Sequence, residues 1–285
     1  MADTAYQVLY RDEWIHGFER NQALLRNTVT TQTMTMERGA RQAVFLVATS
    51  AREAVTRGPN GLIPSDTDDL VQSTVTLAEY HDLPQKTGFN IFAGQSDQRA
   101  IMQVTSRSVI NRHIDDIIID ALETGTVDAN STAETMTKGL INHATTLLWN
   151  AQVQNDGNVF GLLTPAAWAY LSDIPQFTSG DYVNGRPLVQ GAPSSIGGVR
   201  MVDWLGVKWI MHTGLPAMGT AAAKCFIYHK SAVGHAYNDI QALAGYQEEQ
   251  DYSWARTTIY DGALKIQNSG IVVMTHNDLA LSSST

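Results

Sequence analysis

The chain has one cysteine, Cys225, and that scarcity removes two classes of protein at once. An internal disulfide framework and a cysteine-built zinc site both need thiols that are not there. No apolar run approaches the roughly 18 residues of a membrane-spanning helix, and the N-terminus lacks the apolar centre of a secretory signal. Cytoplasmic synthesis and no membrane partner are the expectation. Lysine is also scarce: all six lie at or beyond Lys86. With 19 basic against 28 acidic residues, the net charge of −9 argues against a general nucleic-acid binder, because neutralising phosphates takes clustered Lys and Arg. No nucleophile elbow, phosphate-binding glycine loop or dinucleotide fingerprint is present.

What the sequence does contain is an unusual first third. Between Thr30 and Gly88 lie two extended limbs, rich in Thr and Val and separated by the breaker-laden RGPNGLIPSDTDD, a pattern that predicts a long hairpin. The outgoing limb, 37–57, sets Arg38, Arg41, Arg52 and Arg57 against Glu37 and Glu53, net +2. The returning stretch, 66–82, carries Asp66, Asp68, Asp69, Glu79 and Asp82 and no Lys or Arg, net −5. An isolated two-stranded ribbon is marginal in water, so this one is expected to find its burial on other chains. Residues 1–30 read as an arm outside any compact core.

Helical signals follow. Ser96 as cap and Asp97 in the first turn predict a helix to Glu123, with Ile110, Ile114, Ile117, Ile118 and Ala121 at helical spacing. A capping box, Ser131 to Glu134, predicts a second helix continuing to about Ala151. NVFGLLTPAAWAYL reads as a short apolar strand, then Thr164 as cap and Pro165 at the first helical position. The stretch 179–198 is punctuated by Gly, Pro and Ser and reads as a long exposed loop in which Asp181 and Arg186 form a charged pair. Strands are expected in VRMVDWLGVKWIMH and KCFIYH, and as a closing pair in YSWARTTIYDGALKIQ and GIVVMTH. Strands inserted among helices make an α+β fold.

Chemistry-bearing clusters are few. His113, Asp116 and Asp120 share one side of the long helix, with Asp115 beside them, but further ligands are wanting and a solvated or intersubunit polar face is the better reading. DTDD at 66–69 and EEQD at 248–251 lack the glycine and ligand spacing of a calcium loop and read as charged surface. Cys225 and His229 would share one face of a strand, yet the FIY between them reads as core, where a thiol is inert. The six Trp residues read as packing groups, having almost no cations around them.

In this order the elements resemble the major capsid proteins of tailed bacteriophages, those of the Hong Kong 97 type fold. FGLLTPAAWAYL is similar to the family's entry into its axial domain, WLGVKWIMHTGLP and KCFIYHKSAVGHAY to its strand–turn–strand passage, and DYSWARTTIYDGALKIQNSGIVVMTH to its closing hairpin. The resemblance implies an N-terminal arm (1–30), an E-loop hairpin (31–88), a peripheral domain with a spine helix (89–155 and 246–285) and an axial domain (156–245). It implies a structural protein with no catalytic residue, cofactor or metal, self-assembling into pentamers and hexamers of an icosahedral shell around double-stranded DNA that it contacts non-specifically.

Expected partners are a separate scaffolding protein, since no acidic helix-rich segment precedes the arm, a portal, and in some particles a decoration protein. Intersubunit contacts are expected from Arg38, Arg41, Arg52, Arg57, Asp66, Asp68 and Asp69 on the E-loop, and from Asp181 and Arg186 on the axial loop. The Lys–Asn isopeptide bond of some members has no Lys on this hairpin before Lys86. Alternatives are an encapsulin-type compartment shell, a metal-dependent hydrolase built on His113, Asp116 and Asp120, and a monomeric ligand-binding module.

Overall fold

A computed structural model describes residues 23–34, 41–49, 54, 56–57, 59–61, 69–94, 97–153, 155–178, 194–196 and 199–280. The first elements are strands β1 (Thr30–Met34), β2 (Gln42–Thr49), β3 (Asp69–Thr76), β4 (Ala78–Asp82) and β5 (Gln85–Thr87). A short helix α1 (Gly88–Ala93) leads into the long helix α2 (Gln98–Glu123), followed by β6 (Val127–Asp128), α3 (Lys138–Asn150) and β7 (Val159–Leu163). Then come α4 (Pro165–Ser172), α5 (Pro175–Thr178), β8 (Ser194–Ile196), β9 (Val199–Trp204), β10 (Val207–Met211) and β11 (Ala223–His229). The chain closes with β12 (Val233–Asn238), β13 (Gln241–Gln247), β14 (Tyr252–Lys265) and β15 (Ile271–His276).

Helix α2 forms where the apolar spacing predicts it, but Asp97 rather than Ser96 caps it, its carboxylate accepting from the amides of Arg99 and Ala100. Its 26 residues span about 39 Å at 1.5 Å each. The Ser131–Glu134 box does not start α3. Glu134 instead bridges to His276 in extended conformation, and the helix opens six residues after Ser131 at Thr137, whose hydroxyl accepts from the Leu140 amide. The competing pull is β15: pairing 127–134 alongside it satisfies backbone groups that a longer helix would have left against the sheet. Thr164 and Pro165 take up their expected cap and first-turn positions.

Two sheets organise the molecule. In the six-stranded sheet, β12 and β13 follow one another along one flank of β14 while β4 and β5 follow one another along its other flank, all antiparallel to it; β1 joins β12 in parallel. The seven-stranded sheet runs β6-β15-β11-β7-β10-β9-β8. The expected closing hairpin is therefore split: β14 belongs to the first sheet and β15 lies between β6 and β11 in the second. Strands β12 and β13 bond to β14, and β15 bonds to β11, so the segments 156–245 and 246–285 share both sheets.

The seven-stranded sheet is covered on both faces. Phe160, Leu162, Phe226, Tyr228 and Ile271 meet Ile110, Ile114, Ile118 and Leu122 of α2, while Val159, Leu163, Trp209, Ile227 and Met274 meet Leu140, Ile141, Ala144 and Leu148 of α3. Burial on both sides explains why β7 is apolar throughout rather than alternating. The end of the arm joins this core: Leu25 and Val29 are fully buried against α2 and the sheet, so residues 23–30 are not a free arm.

Gly161 of β7 is required by its neighbour on β10, since a Cβ there would come within 2.4 Å of the Trp209 ring. Gly161→Ala should overpack the core and destabilise the subunit by about 1–3 kcal/mol, read as a lower urea midpoint at unchanged slope.

Candidate functional site

The hairpin expected over 30–88 is shorter than its sequence pattern. Thr30–Met34 and Ala78–Thr87 are sewn into the six-stranded sheet, and only β2 and β3, paired from Gln42↔Thr76 to Thr49↔Asp69, form a separate ribbon. At its root the inner face is packed: Ala43, Phe45 and Val75 bury against Ala236, with Gly234 and Gly262 leaving room for the Phe45 ring and the Val75 methyl. The ribbon is thus anchored on its own subunit, which corrects the expectation that its burial comes wholly from other chains.

Away from the root the packing ends. Val71, on the same face as Val75, is 52% exposed, and on the outer face Val44, Leu46 and Leu70 are 42%, 63% and 65% exposed. Four large aliphatic side chains in water on one two-stranded ribbon form a surface that a partner would cover. A second exposed apolar pair, Phe89 and Phe92, lies on α1.

Of the charged residues assigned to this hairpin, Arg41 is exposed at the start of β2, where its carbonyl accepts from the Leu77 amide. Arg57 is exposed and Asp69 opens β3 opposite Thr49. Arg38, Arg52, Asp66, Asp68, Asp181 and Arg186 lie outside the described residues. The long loop 179–198 lies mostly outside them too; within it Ser194–Ile196 pairs with β9.

The acidic side of α2 divides. Asp116 and Asp120 are exposed, whereas Asp115 is fully buried and accepts from the amides of Leu24 (3.1 Å) and Leu25 (3.0 Å), with His212 Nε2 at 3.3 Å. Asp115 therefore ties the end of the arm to the spine, a role the helical pattern did not disclose. The available signal was an Asp between Ile114 and Ile118 on the apolar stripe.

His113 reaches Asp261 of β14, at 3.5 Å, and His235 of β12 reaches the other carboxylate oxygen at the same distance. Asp261 and His235 are fully buried. The ring centres of Tyr80 of β4 and His113 lie 3.8 Å apart, those of Tyr237 and His235 stack at 5.2 Å, and the Arg26 guanidinium lies over the Tyr237 ring, 3.5 Å from its centre. Among the described residues no group of three or more His, Cys, Asp or Glu converges on a common point that could hold a metal.

The remaining candidates are structural. Burial pushes the Cys225 thiol up to about 12, and His229 pairs with Asp156 at 3.1 Å, so this pair offers no thiolate nucleophile. In the EEQD turn, Asp251 accepts from the Tyr246 hydroxyl at 2.6 Å, and its carbonyl accepts from the Gly88 amide at 2.9 Å. That turn closes the β13–β14 hairpin and fastens α1 to it.

Among the described residues a long helix is laid across two sheets and a ribbon is anchored at its root. The sequence model for phage capsid proteins fits residues 2–278. The chain belongs to the phage capsid protein family. It is a structural capsid protein of the Hong Kong 97 type fold and not an enzyme.

The capsid protein superposes on a structure from Mycobacterium phage Che8 with a TM-score of 0.70 at 15% identity, covering 94% of this chain and 96% of that one. The cyanophage Pam1 capsid gives 0.70 at 13% identity, covering 98% and 100%. An SrpI encapsulin from Synechococcus elongatus gives 0.64 at 11% identity, covering 98% and 96%, so the fold alone does not separate phage shells from encapsulins. The family match does. No curated protein matches the sequence.

The buried network makes a pH prediction. Burial, the largest single influence, pushes the Asp261 carboxyl up, but the two imidazoles of His113 and His235 held 3.5 Å from its oxygens together outweigh it and leave it below the usual carboxylate range. A depressed folded value means that its stabilising contribution is complete above the unfolded value of about 3.9 and disappears as pH falls through the lower folded one. Asp261→Asn should cost about 3–5 kcal/mol at pH 7, and the difference from wild type should shrink on acidification below about pH 4. Urea titrations of unassembled subunits across pH 2.5–7, roughly the interval spanning carboxylate titration, measure both; a difference independent of pH would exclude the assignment.

Proposed function

We propose that copies of this capsid protein assemble into the pentamers and hexamers of an icosahedral shell enclosing double-stranded DNA. The observation that carries this reading is the β2–β3 ribbon, whose inner face is buried at the root while Val44 and Leu46 on its outer face, and Leu70 and Val71 nearer its tip, are left in water. At about 25 cal/mol per Å² of apolar surface removed from water, covering these residues on a neighbour would favour association. The charges on the limbs, Arg38, Arg41, Arg52 and Arg57 against Asp66, Asp68 and Asp69, would set its direction and register. Each exposed pair contributes only about 0–1 kcal/mol, but the same pair recurs in every copy.

In this reading the division into arm (1–30), E-loop (31–88), peripheral domain (89–155 and 246–285) and axial domain (156–245) describes how each copy meets its neighbours. The loop 179–198, with five Gly and two Pro between Phe177 and Gly198, would close the rings, Asp181 and Arg186 reaching the next subunit. A separate scaffolding protein, a portal and in some particles a decoration protein complete the assembly in the bacterial host cytoplasm, and the packaged DNA is contacted non-specifically.

Hydrogen exchange tests the ribbon directly. In unassembled subunits, amides of β2 and β3 beyond Ala43 and Val75 should exchange fast and gain protection when shells form; strong protection at every subunit concentration would overturn the reading. Negative-stain microscopy of the same samples should show rings or shells.

A separate prediction follows from lysine placement. The described ribbon strands carry no Lys, and Lys86 lies in β5 paired with Ser253, inside the six-stranded sheet. Mature particles should therefore dissolve in hot detergent into single chains of 31.2 kDa. A covalent ladder on a denaturing gel would refute this.

A further inference from the structure

Strands β12 and β14 send alternate side chains to opposite faces of their sheet, and the two faces do different things. Directly paired residues share a face, so Tyr237 with Asp261 and His235 with Ala263 turn toward α2, while Ala236 with Gly262 and Gly234 with Leu264 turn toward the ribbon root, where Ala43, Phe45 and Val75 pack. The His113–Asp261–His235 cluster and the ribbon root therefore lie back to back on one strand pair.

The cluster is held by a balance of charge. Asp261 and His235 are fully buried, and the His113 side chain is 25% exposed. Each imidazole stands 3.5 Å from its own carboxylate oxygen, and neither oxygen finds a hydrogen-bond partner among the described residues, so attraction between charges joins the three groups. One proton spread over the two imidazoles balances the carboxylate. With none, the carboxylate is left uncompensated in the interior; with two, the cluster carries an excess positive charge; both states are unfavourable away from water. The two histidines thus titrate as a unit.

The neighbours add to this sensitivity. From β4 the Tyr80 ring is centred 3.8 Å from that of His113, and on α2 itself the exposed Asp120, with Asp116 beside it, feels the His113 charge. On the other side Tyr237 stacks on His235, and the Arg26 guanidinium from the end of the arm lies over the Tyr237 ring. A second proton on the His235 side would meet that cation, and among the described residues only Asp261 pairs with His235.

We propose that this cluster is a proton-operated lock on the ribbon root and on β1. An excess charge inside drives β12, which carries His235, away from Asp261 of β14. The same two strands seat Phe45 and Val75 on their other face, and β12 also pairs with β1, so ribbon root and arm end loosen together. The open arrangement, with both imidazoles in water, takes up the second proton more readily than the closed one, so closure is favoured as pH rises and lost as it falls. The inference concerns the single subunit and stands apart from the assembly reading.

Hydrogen exchange of full-length, unassembled subunits tests it. Protection relative to an unstructured chain at the same pH should fall about tenfold over residues 43–45, 73–77 and the β1 strand between roughly pH 8 and 5, the interval in which histidines change charge, while β7 and β11 keep theirs. His113→Gln and His235→Gln each leave one imidazole for one carboxylate, and both should abolish that fall whatever they do to stability at neutral pH. Because His113 is partly exposed, its variant carries the test where the fully buried position does not tolerate exchange. His81→Gln removes a histidine of β4 that pairs instead with Glu79 at 2.9 Å and should leave the fall intact. A flat wild-type profile, a fall retained in His113→Gln or lost in His81→Gln, or an equal fall across β7 and β11 overturns the proposal.

Discussion

The fold depends on one requirement, that α2 bury its apolar stripe against two sheets at once. Ile110, Ile114, Ile118 and Leu122 meet Phe160, Phe226 and Ile271 of the seven-stranded sheet and Ile259 of the six-stranded one. Near its N-terminus the helix lies close on β14 because Ser106 is small, and the Ser106 hydroxyl bonds that of Thr257 at 2.9 Å. A helix of this length, about 39 Å, spans both sheets and fixes them to each other. The arm's end and the ribbon's root take their positions from it.

Polar groups inside this packing hold specific geometry. Asp115 accepts two arm amides, and Asp261 sits between two imidazoles from different elements. A buried carboxylate gives little net stability over an apolar replacement, yet losing its partners is costly, so such groups favour one arrangement over near alternatives. Here they join α2 to the arm, and β14 to both β12 and α2. The same elements flank the root of the ribbon, so the direction in which the ribbon leaves the subunit is set by a firmly located base.

The exposed apolar surface is concentrated on parts that extend from that base. The ribbon and the α1 phenylalanines keep large side chains in water, while β7 and β11 in the centre bury nearly everything they carry. A subunit built this way carries its buried apolar surface in its two cores and its exposed apolar surface on its projections.

The sequence by itself determined the elements whose signals are local. The 3.6-residue spacing of Ile110, Ile114 and Ile118 announced α2, Thr164-Pro165 announced α4, and the Thr- and Val-rich limbs around a Gly/Pro/Asp turn announced the ribbon. The order of those elements was enough to suggest the family. What only the tertiary structure decided is pairing and burial between residues far apart in the chain. Ser131–Glu134 matched a helix cap but was drawn into extended pairing beside β15, and the two closing strands went to different sheets, because each backbone took the partner that satisfied its hydrogen bonds in the packed molecule. The roles of Asp115 and Asp261 were illegible for the same reason: a carboxylate's neighbours 90 or more residues away, Leu25 for the one and His113 for the other, meet it only once the sheets are assembled around α2.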